Sequence, residues 1–144
     1  MKTILHVLDI DAGPSRVWQA LATEEGLAGW WSTKVSADMR LGGVIDWTFQ
    51  EGFNPDMEIT ELSEESKMAW RCIGGHEPWG DNTFVFEIKP LDGQRTQLWM
   101  RQDYAQELSD EAYGIYNFNW GYYLHSLQQF AANGTGHPFE PPAD

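Results

Sequence analysis

The sequence predicts an α+β domain in which a curved antiparallel sheet is covered by one long C-terminal helix. Three observations carry that prediction. Between residues 44 and 103, short runs alternate apolar and polar side chains and are broken by turn residues, the mark of successive antiparallel strands. Residues 115–130 read I-Y-N-F-N-W-G-Y-Y-L-H-S-L-Q-Q-F; Tyr116, Trp120, Tyr123, Leu124, Leu127 and Phe130 recur at helical spacing and share one face. The strands come as a run and the helix follows them, an order that suits layered α+β architecture. With no internal repeat or low-complexity tract, residues 1–144 are expected to form a single domain.

Each element has its own signal. Residues 3–11 (T-I-L-H-V-L-D-I-D) read as a strand with Ile4, His6, Leu8 and Ile10 on one face. Pro14 suits a first helical turn, and residues 15–21 continue a short helix. Thr23 caps a second short helix that ends at Trp30-Trp31; Glu24 and Glu25 sit in its first turn, where the dipole favours them. Gly42-Gly43 is a turn before a half-buried strand at 44–50, with Ile45, Trp47 and Phe49 on one side. Strands are expected at 56–62 and 68–73, joined by the turn Ser63-Glu64-Glu65-Ser66. A loop rich in Gly, Pro and Asp, residues 74–82, leads to a strand at 83–89 with Phe84, Phe86 and Ile88 on one face. A hairpin loop at Leu91–Gln94 precedes the last strand, 95–103, where Leu98 and Met100 oppose Trp99 and Arg101. Asp110 leads into the long helix, which runs to about Ala132 and stops at Asn133-Gly134. The tail G-H-P-F-E-P-P-A-D is Pro-rich and irregular, with Phe139 placed to pack back onto the body.

Composition narrows the function classes. The net charge is −13, from 9 basic and 22 acidic residues, which disfavours nucleic acid, whose binding relies on Lys and Arg neutralising phosphates. Anionic membranes are disfavoured for the same reason. Cys72 is the single cysteine, so no intramolecular disulfide forms, in keeping with a reducing compartment. The opening M-K-T-I-L-H-V-L-D-I-D is interrupted by His6 and Asp9 and does not read as a signal peptide, and no apolar run is long enough to span a membrane; a cytoplasmic location is expected. The eight Trp are the surplus in this chain. Each buried indole removes roughly 150–250 Å² from water, about 4–6 kcal/mol before entropy. The core is not short of driving force, which leaves aromatic side chains available to line a pocket.

Four stretches are similar to one known family. Residues 14–31, P-S-R-V-W-Q-A-L-A-T-E-E-G-L-A-G-W-W, resemble a P-x-x-V-W-x-A-L…L-x-x-W-W pattern. Gly42-Gly43 opens an alternating strand. Met57-Glu58-Ile59 is followed after a turn by Met68-Ala69-Trp70. Residues 120–139, W-G-Y-Y-L-H-S-L-Q-Q-F-A-A-N-G-T-G-H-P-F, resemble a G-W…L-x-S-L…G-x-G-x-P-F ending. The chain thus resembles the family of homologues of the activator of the heat-shock-90 ATPase, within the SRPBCC, START-like superfamily. The resemblance implies a helix-grip fold with a pocket between the long helix and the concave sheet. It specifies the fold far more sharply than the activity, since this fold hosts carriers, cyclases, co-chaperones and regulators. Two departures stand out: Trp120-Gly121 inverts the commoner Gly-Trp order, and Gln102 occupies a position where many relatives place a cavity-facing His, so a proton-transfer role for that His does not carry over.

The expected ligand is a small apolar or aromatic molecule. The residues expected to line its site are Trp30, Trp31, Trp47, Phe49, Met57, Trp70, Phe84, Phe86, Met100, Gln102, Tyr116, Trp120, Tyr123 and Leu124. The same rings, interlocked, would instead make a solid core. No catalytic residue is assigned: there is no G-x-S-x-G, Cys72 lies in a strand as a buried thiol, and most carboxylates fall on polar strand faces. No cofactor is expected. His6, His76, His125 and His137 are scattered without metal-ligand spacing, and His76 and Glu77 read as a surface pair. Two rival functions stay open, a co-chaperone-like interaction module with a chaperone partner and a cyclase-like enzyme acting on aromatic substrates. Apolar residues on the outer sheet face, Val85 and Trp99, also allow for a homodimer.

Overall fold

The computed structural model describes residues 2–143. Strand β1 (Thr3–Ile10) leads to helices α1 (Pro14–Ala22) and α2 (Glu24–Trp30). Strands β2 (Lys34–Ala37), β3 (Val44–Thr48), β4 (Asp56–Ser63), β5 (Lys67–Gly74), β6 (Thr83–Asp92) and β7 (Arg95–Asp103) follow, with a 3₁₀ turn at Glu77–Trp79 before β6. Helix α3 (Asp110–Asn133) is the last of these elements. All seven strands form one antiparallel sheet in the order β1-β7-β6-β5-β4-β3-β2, so the first strand lies beside the last. This is the expected α+β helix-grip arrangement. No helix among the described residues is long and apolar enough to cross a membrane.

Local chemistry accounts for the element ends. The Thr23 hydroxyl accepts from the Gly26 amide at 2.9 Å, satisfying a free donor of α2. Helix α3 is capped one residue earlier than Asp110: the Ser109 hydroxyl accepts from the Ala112 amide at 3.1 Å, while Asp110 and Glu111 occupy the first turn. Its far end turns at Gly134, where φ is +86° and the amide donates to the Phe130 carbonyl at 2.8 Å. The strand expected at 44–50 stops at Thr48; Gln50 and Phe53 bracket a tight turn instead.

Strand β2 is an element without a sequence signal. It spans four residues on the sheet's edge, with Lys34 and Ser36 exposed and Val35 and Ala37 half-buried. Two alternations are too few to register as a period, and pairing with β3, from Lys34 opposite Thr48 to Ala37 opposite Ile45, creates the strand.

The core lies between the sheet's concave face and the helices. Trp30, Trp47, Trp70, Phe84, Phe86, Ile4, Ile45, Met57, Leu98 and Met100 are buried there, with Trp120, Leu124 and Leu127 from α3. Buried polar groups bolt the layers together. Trp30 Nε1 donates to the Ala20 carbonyl at 2.8 Å, and the Ser126 hydroxyl donates to the Trp30 carbonyl at 2.8 Å. The tail folds back as expected: the Phe139 amide donates to the Trp31 carbonyl at 2.8 Å, and its ring stacks 5.7 Å from Phe49. The sheet's outer face carries exposed ion pairs such as Arg71 with Glu58 and Asp81, and Lys89 sits 4.2 Å over the Trp99 ring.

Candidate functional site

The hollow space lies at one end of the helix–sheet sandwich. The N-terminal half of α3 supplies Ile115, Tyr116, Asn119 and Trp120, and Tyr123 lies just beyond its middle. The turn after β3 supplies Phe49, Gln50 and Phe53, and the loop after β5 supplies His76 and Trp79. Trp31, at the end of α2, and Phe139, from the tail, complete the lining. The cleft holds about 350 Å³, within the ~300–1,000 Å³ range of small-molecule sites. Two wider depressions, one beside Ala105–Ser109 and one along Arg71–Asp81, lack such a wall of rings.

Its floor is three indoles. Trp31 and Trp120 lie 5.0 Å apart between ring centroids, Trp31 and Trp79 6.3 Å, and Trp79 and Trp120 6.5 Å. Phe53 rises from the floor, 5.1 Å from Trp79 and 5.0 Å from Phe49, and Tyr116 stands 5.4 Å from Trp79 on the other side. Offset and edge-on rings at these separations hold one another in place, so the walls are preformed.

Of the residues anticipated from sequence, Trp31, Phe49, Tyr116, Trp120 and Tyr123 line this cleft. Trp30, Trp47, Met57, Trp70, Phe84, Phe86, Met100, Gln102 and Leu124 lie beneath it, fully or nearly fully buried between helix and sheet. Gln102 has a specific part there: its Oε1 accepts from Trp120 Nε1 at 2.7 Å, which orients that ring. Gln102 Nε2, the Tyr104 hydroxyl and Trp79 Nε1 are buried without a hydrogen-bond partner among the described residues.

Sequence reasoning missed Gln50, Phe53, His76, Trp79, Ile115, Asn119 and Phe139 as lining residues. Phe53 and Trp79 sit in the loop segments E-G-F-N-P and H-E-P-W-G, where a large aromatic has no strand or helix face to explain its burial. That is a usable signal, because loop residues often carry function. His76 is not a surface partner of Glu77. Its ring packs 4.7 Å from Phe53 and 5.3 Å from Trp79, while Glu77 is exposed.

The cleft's polar chemistry centres on His76 and Tyr116. His76 Nδ1 lies 3.3 Å from the Gly52 carbonyl, which can only accept, so Nδ1 carries the proton. The Tyr116 hydroxyl then donates to Nε2 at 2.9 Å. Burial holds the His76 imidazole below its ordinary pKa, although the Gly52 carbonyl opposes that, and burial raises the phenols of Tyr116 and Tyr123. The site is therefore uncharged near neutral pH: an aromatic box with a neutral, prealigned hydrogen-bond pair.

A family model described as "Activator of Hsp90 ATPase homolog 1-like protein" matches residues 11–132. Among solved structures, the chain is similar to the Aha1 dimer from Colwellia psychrerythraea, at 28% identity and a TM-score of 0.82, covering 94% of this chain and 100% of that one. It also shares its fold with CalU16 from Micromonospora echinospora, at 18% identity and TM-score 0.72, over 91% of this chain and 76% of that one. The same holds for protein SSP2350 from Staphylococcus saprophyticus, at 14% and 0.74, over 95% and 97%. No curated protein matches the chain.

Proposed function

The chain belongs to the family of activator of Hsp90 ATPase homolog 1-like proteins, and from that premise we propose that it binds a small apolar or aromatic molecule in the cleft at the N-terminal half of α3. The observation that carries this reading is a preformed space of about 350 Å³ walled by Trp31, Phe53, Trp79, Tyr116 and Trp120. A solid core has no use for such a space. Binding works by burial: covering roughly 150–200 Å² of apolar ligand surface yields about 4–5 kcal/mol before the costs of immobilisation. The Tyr116–His76 pair fixes orientation, because both groups are already aligned and lose little entropy. No step of covalent chemistry enters this reading.

Native mass spectrometry of protein purified from its own host tests it. A co-purifying small molecule is expected. Asn119→Trp fills the mouth from an exposed helical position that lines the cleft. It is expected to abolish the adduct and keep the far-UV circular dichroism unchanged. An adduct that survives in Asn119→Trp would move the site elsewhere.

One surface favours a second reading, a protein-interaction role. Ile115, Phe118 and Tyr122 form an exposed apolar stripe on α3, with Phe118 77% accessible. A chaperone partner, suggested by the family's description, would dock there, and Phe118→Ser would abolish stimulation of the cognate chaperone's ATPase. Exposed Leu5 and Val7 on edge strand β1 support a homodimer, in line with the dimeric Colwellia protein. Sedimentation of Leu5→Glu/Val7→Lys against the parent checks that assembly.

A further inference from the structure

We infer that the ligand of this cleft is an organic cation, a quaternary or delocalised positive charge carried on an apolar or aromatic body. The inference rests on the proposed cleft and narrows its ligand class. It follows from three features of the same site.

The first is the absence of any counter-charge for an anion. None of the nine Lys and Arg side chains lines the cleft. A carboxylate or phosphate buried here would meet ring faces and the neutral side chains of Gln50 and Asn119, with no cation to offset its lost hydration. A cation meets those faces favourably, and Trp is the strongest of the three aromatic types. The floor is built from Trp31, Trp79 and Trp120.

The second is the direction of the hydrogen bonds. Gly52 claims the His76 Nδ1 proton, and Tyr116 spends its single proton on Nε2. What Tyr116 has left to offer a ligand is an oxygen lone pair, made a better acceptor by the bond it donates. Trp120 Nε1 is likewise committed to Gln102. The oriented polar pair at the wall thus accepts and does not donate, which suits a cation or an N–H donor and disfavours a carboxylate.

The third is the rim. Glu51, Glu77 and Glu140 are exposed, and each stands one residue from a lining residue, namely Gln50, His76 and Phe139. On a chain of net charge −13 they steer cations toward the mouth and repel anions.

The test uses three probes of nearly one shape: phenyltrimethylammonium, tert-butylbenzene and 2-methyl-2-phenylpropanoate. Their binding to the full chain is followed by tryptophan fluorescence and calorimetry at low salt. The cation is expected to bind roughly 2- to 30-fold more tightly than its neutral isostere, and the carboxylate more weakly than both. The variant Glu51→Gln/Glu77→Gln/Glu140→Gln is expected to weaken the cation several-fold and leave tert-butylbenzene unchanged. A neutral or anionic probe that binds as tightly as the cation overturns the inference and leaves the cleft itself standing as a binding site. If none of the three binds at millimolar concentration, the small-molecule reading falls and this inference with it.

Discussion

The hydrogen bond between Trp120 and Gln102 offers the sharpest test of how the cleft floor is held. Trp120 Nε1 donates to Gln102 Oε1 at 2.7 Å with both side chains buried, and Gln102 Nε2 has no partner among the described residues. Trp120→Phe keeps a ring against Trp31 and Phe84 but removes the donor. It loses about 1 kcal/mol through the smaller ring and strands the remaining amide oxygen, a further ~1–3 kcal/mol. Gln102→Met alone leaves the indole N–H unpaired yet removes an amide nitrogen that was already unpaired, so its net cost is smaller, about 0–1 kcal/mol. The double variant contains neither orphan. It is therefore expected to be more stable than the sum of the single effects by about 1–2 kcal/mol. Urea unfolding followed by far-UV circular dichroism measures all four corners of the cycle without relying on the altered tryptophan signal. Single effects that add to within about 0.5 kcal/mol would refute the reasoning, because they would mean the indole and the amide do not depend on each other.

Two other perturbations have worked signs. Asp56 faces Asp46 across β3 and β4, and burial together with that neighbour pushes its carboxyl up to about 6. The folded state therefore holds the extra proton between about pH 4 and pH 6, and stability falls as pH rises through that window. Asp46→Asn removes the like charge. It is expected to stabilise the protein above pH 6 by about 0.5 kcal/mol, given how exposed the pair is, and to do nothing at pH 4; a pH series of urea midpoints reads both. The second is a pair of glycines. A Cβ on Gly26 would meet the Gln19 carbonyl and come within 2.8 Å of the Ala20 Cα, whereas one on Gly114 meets nothing within 4 Å. Gly26→Ala is expected to cost about 1–3 kcal/mol and Gly114→Ala to add about 0.5–1 kcal/mol, a contrast that thermal melts resolve.

What the sequence discloses, and what it hides, divides along one physical line. Periodic patterns report an element's burial face, and α3 and every strand but β2 follow from them, while the two short helices follow from Pro14 and from the Thr23 cap. Strand β2 escapes because four residues on an edge carry too little alternation, and pairing makes the strand. The candidate site divides the same way. Residues with a recognisable inner face, such as Trp47, Trp70, Phe84 and Phe86, are easily seen to point inward. Periodicity does not tell which inward residues meet one another and which border empty space. That depends on how far the sheet curves and where loops cross its end. Phe53, His76 and Trp79 come from two such crossings and have no period at all. Gln102 illustrates the remaining ambiguity, since an inward polar residue could touch a ligand or a neighbour. Here its oxygen is taken by Trp120.

The floor of the cleft cannot be altered without altering the core. Trp31 packs edge-on against Trp47 at 4.5 Å and stacks with Trp30 at 5.8 Å and Trp70 at 6.2 Å, all three buried, and the same indole faces the open space beside Phe49 and Trp120. A ligand seated on it adds contacts to a ring that already links α2 to the sheet. Ligand affinity and folding stability therefore share one structural element, and by mass action a ligand present at 100 times its Kd would add about 2.7 kcal/mol. The same coupling makes floor substitutions poor probes of binding: truncating Trp31 or Trp120 costs about 3–5 kcal/mol of core packing before any ligand is considered. The informative positions are on the rim. Asn119 is exposed, and Phe53 and Tyr123 are only half-buried. Changes there alter the cleft's shape while Trp31 keeps its neighbours, so a loss of binding at those positions is a statement about the site and not about the fold.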